Sequence, residues 1–152
     1  MISGKLVHLI DWRQEEVLDR VAQQIRRDPD MAHTEAIVGS GLRHWNKELL
    51  EGLSQCLARG SGETLAARYR HVGRERFKQA VPLDGCLRDL CALKETLLDY
   101  IEEHTLNKDC MELYAEEELD RRVGRFFDLV IINFVKGYQS ASRPAAAAAA
   151  EG

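Results

Sequence analysis

The chain has 152 residues, 45% apolar and 30% charged, proportions that suit one globular domain around a single core. With 21 Lys and Arg against 25 Asp and Glu, it lacks the basic surplus that phosphate neutralisation needs, which excludes nucleic acid as a general partner. No apolar run approaches the ~18 residues of a membrane span, and the first residues hold no long apolar signal-peptide core, so the expectation is a cytoplasmic protein without membrane insertion.

Three prolines, eleven glycines and little β-branched alternation point to an all-α fold. The first helix is predicted over residues 5–27, with Leu6, Ile10, Val17, Val21 and Ile25 at helical spacing and Leu9 and Trp12 extending the stripe. It should end at Arg26-Arg27-Asp28, where basic side chains suit the C-terminal dipole and Pro29 forbids continuation. Asp30 or Thr34 is expected to cap the next helix. The face of that helix reads Ile37, Leu42, Trp45, Leu49, Leu53 and Leu57. Gly39-Ser40-Gly41 falls inside the pattern, which predicts a kink or a separate short first piece.

Arg59-Gly60-Ser61-Gly62 reads as a turn, with Ser61 as cap for a third helix from Glu63 to about Ala80 that carries Leu65, Tyr69, Val72 and Phe77. Pro82 then suits a first helical turn and pushes Val81 out of the helical region. The fourth helix, about Leu83 to His104, has Leu83, Leu87, Leu90, Leu97 and Ile101 on one face, with Cys86, Leu93 and Tyr100 alongside. Its wet side is assigned to Arg88, Asp89, Glu95, Asp99, Glu102 and Glu103. After Asn107-Lys108-Asp109 a last long helix should start between Cys110 and Ala115 and reach Tyr138. Leu119, Val123, Phe126, Phe127, Val130 and Phe134 make it central and nearly buried. The whole is a single bundle of five helices, or six with the break at 39–41, over residues 1–139. The Ala-rich stretch 140–152 reads as a tail or linker.

Chemistry-bearing patterns are sparse. Cys56, Cys86, Cys91 and Cys110 follow neither a disulfide framework nor a zinc spacing, and are read as reduced thiols. Phosphate-loop, nucleophile-elbow and H-E-x-x-H patterns are missing, as are the paired Glu-x-x-His motifs of a di-iron bundle. His44 and Glu48 form one two-ligand pair, a weaker reading than a solvated pair. No catalytic set, metal or cofactor is assigned, and the chain is read as acting by binding. The basic face of the third helix, Arg70, Arg74, Arg76 and Lys78, is the strongest electrostatic feature. It is a candidate for an anionic ligand or an acidic partner helix, against internal pairing with the acidic run at 112–120. A haem-binding alternative would need an axial residue such as His71 or His104; His71 allows it, against the more ordinary role of a hydrogen-bonded boundary residue. Asn133, polar within an apolar run, either satisfies an internal hydrogen bond or lines a pocket.

The run from Gly73 to Lys94, with Arg76, Gln79, Leu83, Leu87 and Leu93 at matching positions, resembles the RsbRD N-terminal domain family. The helix from Arg121 to Tyr138 resembles the closing helix of those domains. Ala80 stands where that family often has Gly. The resemblance, from about Trp12 to Tyr138, implies a helical regulatory input module related in shape to non-haem globins. Such modules are found in stressosome-type co-antagonists and sensor histidine kinases. It further implies a signalling protein as partner, while homodimerisation and a small-molecule ligand are compatible with it. An output activity is not carried over to this chain.

Overall fold

The computed structural model describes residues 13–59, 63–104 and 110–143. Among them are six α-helices and one 3₁₀ turn, with no strand: α1 (Gln14–Arg27), the 3₁₀ turn (Pro29–Met31), α2 (Ala32–Val38), α3 (Gly41–Arg59), α4 (Glu63–Lys78), α5 (Leu83–Glu103) and α6 (Cys110–Ser142). The all-α bundle expected from periodicity is what forms. The expectations for Leu6, Leu9, Ile10 and Trp12, for the Ser61 cap, for Asn107-Lys108-Asp109 and for most of the Ala-rich tail lie outside the described residues. α6 runs on through Ser140-Ala141-Ser142.

Local chemistry sets the helix ends. Glu15 and Glu16 open α1 and Arg26 and Arg27 close it, each sign suited to its end of the macrodipole. Asp28, in extended backbone, accepts from the Asp30 amide at 3.0 Å and so caps the 3₁₀ turn, with Pro29 in its first position. This corrects the assignment of the cap to Asp30 or Thr34. Thr34 lies inside α2, buried, with its side chain against Gly85 of α5. Gly39 takes φ +58° and ends α2, so the Gly-Ser-Gly stretch separates two helices. Cut off from α3 by that turn, Ile37 is left 42% exposed instead of joining the α3 face.

α4 ends in a Schellman arrangement. The Val81 amide donates to the Arg76 carbonyl at 3.1 Å and the Ala80 amide to the Phe77 carbonyl at 3.0 Å, with Ala80 at φ +60°. Val81 is buried, and its carbonyl accepts from Tyr138 Oη at 2.8 Å, which pins the corner to the end of α6.

The core gathers where α1, α3, α5 and α6 meet. Leu53, Leu93, Leu97, Tyr100, Leu119, Val123 and Phe127 are inaccessible to solvent. At roughly 1.5–3 kcal/mol per large apolar side chain removed from water, α5 and α6 supply about half of the hydrophobic stabilisation among the described residues. α6 is central, with an open side at Ile132, which is 54% exposed. α4 and α6 run parallel in the most extensive helix pairing: Tyr69 meets Phe126, Gly73 meets Phe134, and Phe77 meets Tyr138. Gly73 and Gly137 bring the two backbones together. A Cβ on Gly73 would overlap the Phe134 carbonyl, and one on Gly137 the Arg70 carbonyl.

Candidate ligand-binding cavity

A cavity of about 300 Å³ opens where α3, α4, α5 and α6 converge, at the lower end of the size range of small-molecule pockets. Its wall comes from Trp45, Asn46, Leu49 and Gly52 of α3, Tyr69, Val72 and Arg76 of α4, Cys86, Asp89 and Leu90 of α5, and Val130 and Phe134 of α6. Glu48, Glu51, Gln55 and Arg68 line its exposed side.

The deep polar element is Asp89, which is 4% exposed. Asn46 Nδ2 donates to its Oδ1 at 3.0 Å. Burial pushes the carboxyl pKa up to about 7, against the lowering pull of the Asn46 hydrogen bond and the Arg76 charge. The same surroundings push the Cys86 thiol up to about 12, again by burial, so this cysteine is a protonated hydrophobe and not a nucleophile. Burial also raises the Tyr69 hydroxyl. Arg76 reaches over Trp45, its guanidinium carbon 3.5 Å from the ring centroid, and Nη1 donates to Gln79 at 3.3 Å. Burial lowers its pKa, yet a guanidinium remains charged at any ordinary pH.

Of the five candidate residues named from sequence, one stands at this cavity. Arg76 lines it because positions 69, 72 and 76 share a helix face with Tyr69 and Val72. Arg70 and His71 are exposed and Arg74 is half-buried, and none of the three lines the cavity. His71, and likewise His104, the other histidine named for the haem alternative, do not line this cavity. Asn133 is buried, but its Nδ2 donates to the Leu129 carbonyl at 2.8 Å within α6, the internal bond and not the pocket role.

The internal pairing weighed for the basic face does not form with Glu118, whose partners are Arg121 and Arg122 of its own helix at 3.2 and 3.1 Å. The parallel alignment explains this. Residues 69–77 lie beside 126–138, and at 1.5 Å per residue the 112–120 run is displaced along the axis by several turns. His44 and Glu48 do meet, at 3.1 Å, as an exposed pair.

Sequence reasoning missed Asp89 and Asn46. Its charge assigns Asp89 to the wet side of its helix, and the structure reverses that. A signal was present: Cys86, Asp89, Leu93, Thr96 and Tyr100 follow the alternating three- and four-residue spacing of one buried row, and all five are buried. An acid in such a row is a buried acid.

Fold and site together place the described residues in a single all-helical bundle with a cavity between four helices that is open on one side. The family model of the RsbT co-antagonist protein rsbRD N-terminal domain matches residues 15–151, and the chain belongs to that family. No curated protein and no solved structure matches it. Among the described residues, no helix is long and apolar enough to cross a membrane.

Proposed function

We propose that this domain is a non-catalytic regulatory input module of bacterial signalling, working in the cytoplasm. A small molecule in the cavity favours one packing of α3 and α4 and so changes the surface offered to a signalling protein or to a second copy of the chain. The observation that carries this reading is the cavity itself, bounded by four helices and floored by a buried carboxylate. A ligand that contacts four helices at once acts differently on their alternative packings, as a population shift requires. Membership of the rsbRD N-terminal domain family supports the regulatory role.

A screen of chemically diverse fragments by thermal melting tests the reading. A fragment at 100 times its Kd stabilises by about 2.7 kcal/mol. The expected hits raise the melting temperature of the wild type and lose their effect in Val72→Phe, which narrows the cavity. A screen without hits, or hits that stabilise Val72→Phe equally, would remove the basis for this function.

A further inference from the structure

We infer that the cavity is a site for a small organic cation, an amidinium or primary ammonium on a compact apolar body, with Asp89 as its counter-charge. The inference rests on the reading above that the cavity takes a ligand, and it specifies the class.

Asp89 is the one charged lining residue that is more than nine-tenths buried. Its described hydrogen-bond partner is a neutral amide, Asn46, which occupies Oδ1, while the Arg76 guanidinium on the same wall acts on it through its charge, and among the described residues no lysine or arginine comes within ion-pair distance of it. A carboxylate accepts up to about four hydrogen bonds, so capacity remains on the cavity floor. A buried carboxylate with no cation in hydrogen-bond reach is costly, and a ligand N–H⁺ group placed against it reduces that cost. The walls above it are apolar: Leu49, Val72, Leu90, Val130 and Phe134. Their chemistry suits a hydrocarbon or aromatic body with one charged end.

The two arginines do not make this an anion site. Arg76 lies over the Trp45 ring, donates from Nη1 to Gln79, and has the Asp89 charge beside it. Arg68 is exposed on a side of the cavity that also carries Glu48 and Glu51. An anion entering the cavity would approach the Asp89 carboxylate as a like charge. Arg76 on Trp45 also shows directly that a planar cation rests against this aromatic wall.

The test uses three probes of one shape and different charge: benzamidine, benzamide and benzoate. Each is titrated by calorimetry into the wild type and into Asp89→Asn. That substitution keeps the oxygen that accepts from Asn46, and melting confirms its fold. At pH 8 benzamidine is expected to bind at least tenfold more tightly than benzamide or benzoate, a preference that disappears in Asp89→Asn. In the wild type its affinity should fall about tenfold between pH 8 and pH 6, as the Asp89 carboxyl takes up a proton. The titratable or charged groups that share the wall with Asp89 are Glu48 and Glu51 of α3, Arg68, Tyr69 and Arg76 of α4, and Cys86 of α5. α6 contributes only Val130 and Phe134. Tightest binding by benzoate, or benzamidine affinity unchanged in Asp89→Asn, overturns the cation assignment and leaves the cavity a ligand site. No binding by any of the three, with fragment hits still sensitive to Val72→Phe, overturns the cation class alone. No binding by the probes and no fragment hits overturns both.

Discussion

The two sides of α4 were built to opposite specifications. Toward α6 it presents Gly73, and with Gly137 opposite, the helices close until backbone meets backbone. Toward α3 and α5, the neighbouring residues Val72 and Arg76 stand off from the opposite wall and leave about 300 Å³ unfilled. The first seam is fixed by side chains that are missing, and the second holds a buried carboxylate, Asp89, on its wall. One helix is therefore closed against its neighbour along one edge and borders an open cavity along the other.

The sharpest way to break that contrast is at the closed seam. Gly137→Val places a branched side chain where the Arg70 carbonyl lies, so α4 and α6 must separate along their length. A loss of about 3 kcal/mol or more is expected, read as a lowered urea midpoint. Gly124 lies on the same helix, and a Cβ added there would meet nothing within 4 Å. Gly124→Ala should therefore stabilise by about 0.5–1 kcal/mol through helix propensity alone. Equal effects at the two glycines would mean that the seam is not closed by backbone contact.

The open side is sharpened by pH. The Asp89 carboxyl has its folded pKa raised from 3.8 to about 7, so between those values the folded state holds a proton that the unfolded chain has released. Its contribution to stability is then fully present below about pH 4, declines as pH rises from there through 7, and stays lost above that. Asp89→Asn removes the dependence. It should be more stable than the wild type at pH 8, by up to about 4 kcal/mol, and lose that advantage toward pH 4. Parallel melting curves of the two proteins across pH 4–8 provide the check, and a difference that does not vary with pH would place the Asp89 titration elsewhere.

The same contrast explains what could be read from the chain. Elements marked by strong local rules were legible: Pro29 and Pro82 at helix boundaries, Gly39 as a break, and the row Leu119, Val123, Phe126, Phe127, Val130 and Phe134 as core. The closed seam was not, because a glycine inside a helical pattern reads as a weakness until the partner backbone is known. The cavity was half legible. Charge drew attention to α4, but charge carries no direction. Helical geometry turns Arg76 toward Trp45 with Tyr69 and Val72, whereas Arg70 and His71 face out and Arg74 lies off the cavity. Asp89 is lost when its charge is given more weight than its place in a buried row.

A small effect is expected at the corner that joins the two sides. Ala80 occupies the left-handed position of the α4 terminus, φ +60°, where a Cβ crowds the neighbouring carbonyl. The corner persists because its bonds over-determine it: Val81 to Arg76, Ala80 to Phe77, and Tyr138 to Val81. With Val81 buried on the far side, the strain cannot relax by rotating the turn outward. Ala80→Gly removes the Cβ and keeps every one of those bonds. The relief of roughly 1–2 kcal/mol is partly offset by the greater freedom of glycine in the unfolded chain. A net gain of about 1 kcal/mol is expected, seen as a higher urea midpoint with an unchanged slope. Because the substitution leaves the cavity wall intact, ligand-induced shifts in melting should be the same in variant and wild type. A gain in stability accompanied by weaker ligand stabilisation would instead show that strain at this corner helps α4 to move.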